Sequence, residues 1–250
     1  MQSKRLILAL CIYLACPHAA SAETLADLTK RAEMGDPIAQ TDLGTKFAMG
    51  SDVAVDYHEA EKWFRLAANQ SNPLAQYHLG IIYANGEGVT VDLNQAAEWF
   101  LKAAIQGDIP AQFNIGLMYI HGEGLPQNYA EAFTWFKKAA EGGHPVAQLN
   151  LGLMYIRGEG VDQDADQAVK WFKQSADQGE AKAQYHLGIC YAEGEGVSKD
   201  RQTAYFWLTL AANQGDTEAN GILNELKNEL TPVQIAEAQK RAAEWRPPVH

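Results

Sequence analysis

The sequence is poor in cysteine. Of 250 residues only Cys11, Cys16 and Cys190 carry thiols, and the first two sit in an N-terminal apolar stretch. A chain that keeps Cys190 alone has no internal disulfide, which excludes a disulfide-stapled scaffold. Basic residues are scarce too: 20 Lys and Arg stand against 31 Asp and Glu, for a formal net charge of -11. Such a surface cannot neutralise a phosphate backbone, so no nucleic-acid partner is expected. Beyond the first residues no run is apolar enough to span a bilayer, and no stable membrane insertion is expected once that segment is cleaved. The signatures G-x-S-x-G, H-E-x-x-H, G-x-x-x-x-G-K-[ST] and paired C-x-x-C are all missing, so no catalytic residues and no cofactor are assigned. Nor is a metal site expected: His18 and His250 lie at the two ends, and His78 and His186 are too far apart along the chain to share an ion.

What is present begins with an export signal. Residues 1–22 open with Lys4 and Arg5, continue through the apolar stretch Leu6 to Cys16, and close on Ala20, Ser21 and Ala22. That layout is a secretory signal peptide with cleavage expected after Ala22. A lipoprotein signal using Cys16 is the alternative, although Tyr13 stands where such signals usually carry Leu. Cleavage leaves 18 basic against 31 acidic side chains, and the mature protein is expected in a bacterial periplasm, with secretion as the other destination.

The rest of the chain is periodic. Ala-Gln recurs at Ala39-Gln40, Ala75-Gln76, Ala111-Gln112, Ala147-Gln148 and Ala183-Gln184, always 36 residues apart, and Trp63, Trp99, Trp135, Trp171 and Trp207 keep the same step. Nineteen of the 21 glycines fall in four columns led by Gly35, Gly44, Gly50 and Gly88, a registration that composition alone does not produce. The repeats are placed at 35–70, 71–106, 107–142, 143–178 and 179–214. A capping helix at 23–34 precedes them, and a half-repeat with a capping helix at 215–250 follows.

Each repeat reads as two helices. The first starts at a capping side chain and a proline, as in Asp36-Pro37 and Asn72-Pro73. It buries a stripe such as Ala75, Leu79, Ile82 and Tyr83, and it stops at Gly86. The second starts at an acceptor followed three residues later by Glu or Gln, the capping-box spacing, at Asp56/Glu59, Asp92/Gln95, Asn128/Glu131 and Asp164/Gln167. Gly44, Gly80, Gly116, Gly152 and Gly188 lie in mid-helix, where each costs about 1 kcal/mol relative to Ala, so close approach of a neighbouring helix is expected in compensation. A helix pair cannot bury both faces alone, and stacking into a right-handed all-α solenoid of α/α pairs follows.

The unit Ala-x-x-x-Leu-Gly-x-x-Tyr-x-x-Gly-x-Gly-Val, followed by Asp, Ala, Trp-Phe and Ala-Ala, resembles the Sel1-like repeat, a relative of the tetratricopeptide repeat. The first repeat departs from it, with Phe47 for Tyr and Ser51-Asp52 for Glu-Gly, which puts its turn geometry in question. The resemblance implies a non-enzymatic adaptor that holds a protein or peptide, and for exported bacterial members a role in envelope signalling, secretion or host contact. One exported, cysteine-rich branch of the family is associated with β-lactams; its cysteines are absent here, so that activity is not carried over.

The candidate site lies on the first helices, which in such solenoids line the concave face. Three columns are left free by the packing pattern. They are Tyr77, Phe113, Leu149 and Tyr185; then His78, Asn114, Asn150 and His186; and one turn on, Ile81, Leu117, Leu153 and Ile189. A peptide could lay side chains on this strip while Asn114 and Asn150 bond its backbone. The other reading is that the aromatics only pack against the next repeat. Asn85, His121, Arg157 and Glu193 end these helices and vary in charge, as specificity residues at a rim would. Glu87, Glu123, Glu159 and Glu195 form an acidic ladder, read as a solvated edge, and Cys190 is read as a small buried apolar residue. The function expected is an exported interaction scaffold of unidentified protein partner. The alternatives are a hydrolase acting on cell wall or β-lactam, and a secreted host-interaction factor.

Overall fold

The computed structural model describes residues 23–247, so the leader read at 1–22 lies outside the described residues. Its helices are α1 (Leu25–Glu33), α2 (Pro37–Met49), α3 (Tyr57–Asn69), α4 (Pro73–Asn85), α5 (Leu93–Ile105), α6 (Ile109–His121), α7 (Tyr129–Glu141), α8 (Pro145–Arg157), α9 (Ala165–Asp177), α10 (Ala181–Glu193), α11 (Arg201–Asn213), α12 (Thr217–Leu226) and α13 (Pro232–Glu244). No strand occurs among the described residues. They divide into two compact bodies, one ending at Gln127 and one starting at Asn128, so that α1 to α6 belong to the first and α7 to α13 to the second.

Helix starts follow from the caps. The Asp36 carboxylate accepts from the amides of Ile38 and Ala39, and the Asn72 side chain accepts from Ala75. At the second helices the expected reciprocal box is half made. Asp56 and Asp92 accept from the amides two and three residues on, and Asp164 from the third. Their own amides are already spent on the carbonyls of Phe47, Tyr83 and Tyr155, at 2.9–3.0 Å, in the helix before. The Glu or Gln three residues on therefore has no donor left to accept from. A full capping box forms at Thr231 and Gln234, where no preceding helix supplies that carbonyl.

The turn of the first repeat is conserved in shape despite its altered residues. Asp52 takes φ 66°, beside 71° at Gly88 in the second repeat, an Asp being among the few side chains that visit this region. Lys46 pairs with it at 2.6 Å.

Packing explains the mid-helix glycines. A Cβ on Gly80 would stand 2.5 Å from the Phe100 ring, and one on Gly152 would stand 2.5 Å from Phe172. Each second-helix ring thus rests directly on first-helix backbone, with Phe64, Phe100 and Phe172 all at 1% exposure or less. The Ala-Gln column proves to be structural as well: Gln40, Gln76, Gln148 and Gln184 each donate to the carbonyl eight residues earlier, at 3.0–3.2 Å. This pins the end of one helix to the start of the next. Trp99 and Trp135 are buried and each is covered by the ammonium of Lys102 or Lys138 at 3.9 Å from the ring centroid.

The ends are sealed differently. In the first body, α1 lays Leu28 and Ala32 on Ala39, Leu43 and Trp63. In the second, α13 buries Ala238 and Ala242 against Tyr205 and Phe206, with Arg241 over the Phe206 ring at 4.6 Å. Cys190 lies inside this core, 3% exposed, and burial with the nearby Glu195 and Glu193 pushes its thiol up to about 12.

Candidate functional site

The candidate strip is made by first helices, and the two bodies present it differently. In the first body much of it is interior. Tyr77 is 4% exposed and meets the Phe100 ring at 5.8 Å, while Ile81 has no exposed surface. His78 stacks on Phe64 at 4.7 Å and 20°, and burial lowers its pKa from the ordinary 6.5 to about 4, so the ring is neutral at pH 7. These three side chains are therefore packed among the helices, Tyr77 against the second helix of its own repeat and His78 against that of the repeat before. Phe113 and Leu117, on α6, are half-buried.

Between them sits Asn114. It is 4% exposed, and its carboxamide makes no hydrogen bond to any described residue. Its counterpart Asn150 is half-buried and donates to the Val146 carbonyl at 2.7 Å. The pair that looked equivalent in sequence is therefore split: one amide is spent within its own helix, and the other is not.

In the second body the strip is more open. Leu149 is buried, but Leu153, Tyr185, His186 and Ile189 are half-buried. His186 stacks on Phe172 at 5.3 Å, and burial lowers its pKa, helped by Lys182 and Arg157. Tyr185 meets His186 edge-on at 5.2 Å, with the Lys182 ammonium 5.5 Å from its ring.

The rim residues are placed at helix ends as expected. Asn85 donates to Glu87 at 3.2 Å, and Arg157 lies 3.9 Å from Glu159. His121 and Glu193 are exposed. Among the described residues no group of three or more His, Cys, Asp or Glu could hold a metal ion. No described helix is long and apolar enough to cross a membrane.

One feature escaped the reading of the sequence because the columns were followed only as far as the fifth repeat. Extended by one more period, they reach Ile222, Glu225 and Glu229. With Ile189 and Glu193 of α10 these residues line a cavity of about 140 Å³ in the second body. Its continuation of a 36-residue step was the signal that could have found it.

Stacked helix pairs with polar side chains on an otherwise apolar first-helix face define an α/α repeat scaffold. A model of the Sel1 repeat matches residues 37–72, 73–108, 109–144, 145–180 and 181–216, so the chain belongs to the Sel1 repeat family. Proteins of this family are generally non-enzymatic interaction scaffolds. Two solved structures are similar to it. One is c5321, a protective antigen present in uropathogenic Escherichia coli strains that displays an SLR fold, at 32% identity and TM-score 0.80, covering 88% of this chain and 48% of that one. This chain thus spans about half the length of the antigen. The other is a Sel1 repeat protein from Oxalobacter formigenes, at 30% identity and TM-score 0.72, covering 90% of each chain. No curated protein matches the chain in a sequence comparison.

Proposed function

We propose that this protein is an exported interaction scaffold that holds a peptide or protein segment on its first-helix faces. The observation that carries the reading is Asn114: a largely buried side chain whose carboxamide bonds nothing within the described residues and still reaches solvent, flanked by the half-buried Phe113 and Leu117. A carboxamide not committed to its own chain can exchange water for a peptide backbone at little cost. A bound backbone would supply the missing partner while apolar side chains settle on Phe113 and Leu117. Export rests on the leader read at 1–22, and the periplasm is the compartment proposed for this activity.

The test is photocrosslinking in cells, with a photoreactive residue at Phe113 or Tyr185 and a control at the exposed Lys137. One envelope protein captured from the first-helix positions and not from Lys137 is the expected result. Asn114→Ala should abolish that capture, whereas Asn150→Ala, whose amide is spent on Val146, should leave it intact. Equal capture from Lys137, or capture indifferent to Asn114→Ala, would overturn the reading.

A second reading has one observation in its favour: similarity to a protective antigen of uropathogenic bacteria. On that reading the scaffold meets a host protein, and the mature chain is found in the culture medium rather than in the periplasm.

A further inference from the structure

The cavity at the end of the strip differs from the rest of it in charge. Its walls are the aliphatic side chains of Ile189 and Ala192 from α10 and of Ile222 and Leu226 from α12. Its polar lining is Glu193, Glu225, Glu229 and Arg201, three carboxylates to one guanidinium. Arg201 pairs with Glu229, which leaves the lining with an excess of two negative charges. Glu193 and Glu225 are exposed, and neither has an ion-pair partner among the described residues.

We infer that this cavity binds the side chain of a lysine or arginine on the partner segment. A long basic side chain has the two halves the cavity asks for: a methylene stem to lie on Ile189, Ile222 and Leu226, and a cation to reach Glu193 and Glu225. An acidic side chain would meet two unpaired carboxylates, and a purely aliphatic one would leave them without a counter-charge. The volume of about 140 Å³ suits one long side chain, with the backbone that carries it left outside. The chain as a whole has an excess of acidic residues, 31 against 20, which favours approach of a basic segment. The inference rests on the reading that the first-helix face is the docking face, and it names the chemistry of what docks there.

The test is a methyl NMR titration of the mature full chain with two capped peptides of alternating leucine and a charged residue, one with lysine and one with glutamate. With the lysine peptide, the methyls of Ile189 and Ile222 are expected to shift to saturation, with binding weakened as salt is added. The glutamate peptide should leave them unmoved. The double variant Glu193→Gln, Glu225→Gln should keep the wild-type spectrum elsewhere, since both side chains are exposed, and lose at least ten-fold in affinity for the lysine peptide. Equal shifts with both peptides, or unchanged affinity in the double variant, would overturn the inference. The two readings fail separately. Capture from Phe113 that survives the double variant would leave the scaffold standing and remove the basic-residue pocket. Loss of capture at Phe113 with lysine-specific shifts at Ile189 would do the reverse.

Discussion

Gln106 donates its side-chain amide to the side-chain oxygen of Gln76 at 2.7 Å, and Gln76 in turn donates to the backbone carbonyl of Ala68 at 3.1 Å. The same link joins Gln70 to Gln40, Gln178 to Gln148 and Gln214 to Gln184, at 2.8–2.9 Å. Four of the five buried first-helix glutamines thus tie the end of the helix before to the end of the helix after; the fifth, Gln112, reaches the Ala104 carbonyl but has Gly142 where the others meet a glutamine. Register between successive helices is held by hydrogen bonds as well as by apolar packing.

Gln76→Leu should therefore destabilise the protein by about 1–2 kcal/mol, since the Ala68 carbonyl loses the Gln76 donor and Gln106 is left with only its longer bond to the Lys102 carbonyl, at 3.3 Å. Gln106→Ala, at an exposed position, should cost about 0.5–1 kcal/mol. Urea titration monitored by circular dichroism compares the two, and equal costs would contradict the relay.

Two glycine-to-alanine substitutions should act with opposite sign. Gly221 lies inside α12 with nothing within 4 Å of a would-be Cβ, so Gly221→Ala should stabilise by about 1 kcal/mol through helix propensity. Gly80→Ala drives a methyl to 2.5 Å from the Phe100 ring. Overpacking of about 1–3 kcal/mol exceeds the propensity gain, and a lower melting temperature is expected.

Ser71 holds φ 65° at the end of α3, where Gly35 and Gly107 occupy the same place in the neighbouring repeats with φ of 93° and 94°. Ser71→Gly should relieve the left-handed strain and stabilise by about 0.5–1 kcal/mol, read as a rise in melting temperature.

Stability should fall in mild acid. His78 is neutral when buried, with its pKa lowered from 6.5 to about 4, so between those values the unfolded chain takes up a proton that the folded chain refuses. The stabilisation is full above pH 6.5 and drains as pH falls toward about 4, and His78 alone should remove about 2 kcal/mol between pH 7 and pH 5. His144 and His186 shift in the same direction for the same reason, burial. His78→Phe should flatten the profile of unfolding free energy against pH in that window; an unchanged slope would place the effect elsewhere.

The repeat length, the helix pairs, the caps and the packing glycines were all legible in the sequence. Each depends on neighbours within one 36-residue period, so the spacing of Ala39, Gly44, Asp56 and Trp63 already encodes the contacts they make. Tertiary structure alone decided how much of a given column is available. Tyr77 and Tyr185 occupy one column, yet the first is buried against Phe100 and the second is half-buried. Asn114 and Asn150 part in the same way, because a carboxamide can turn back to its own helix or remain unspent. Burial and hydrogen bonding are set by what the next helix brings, and that information lies 20 to 30 residues away from the residue it decides.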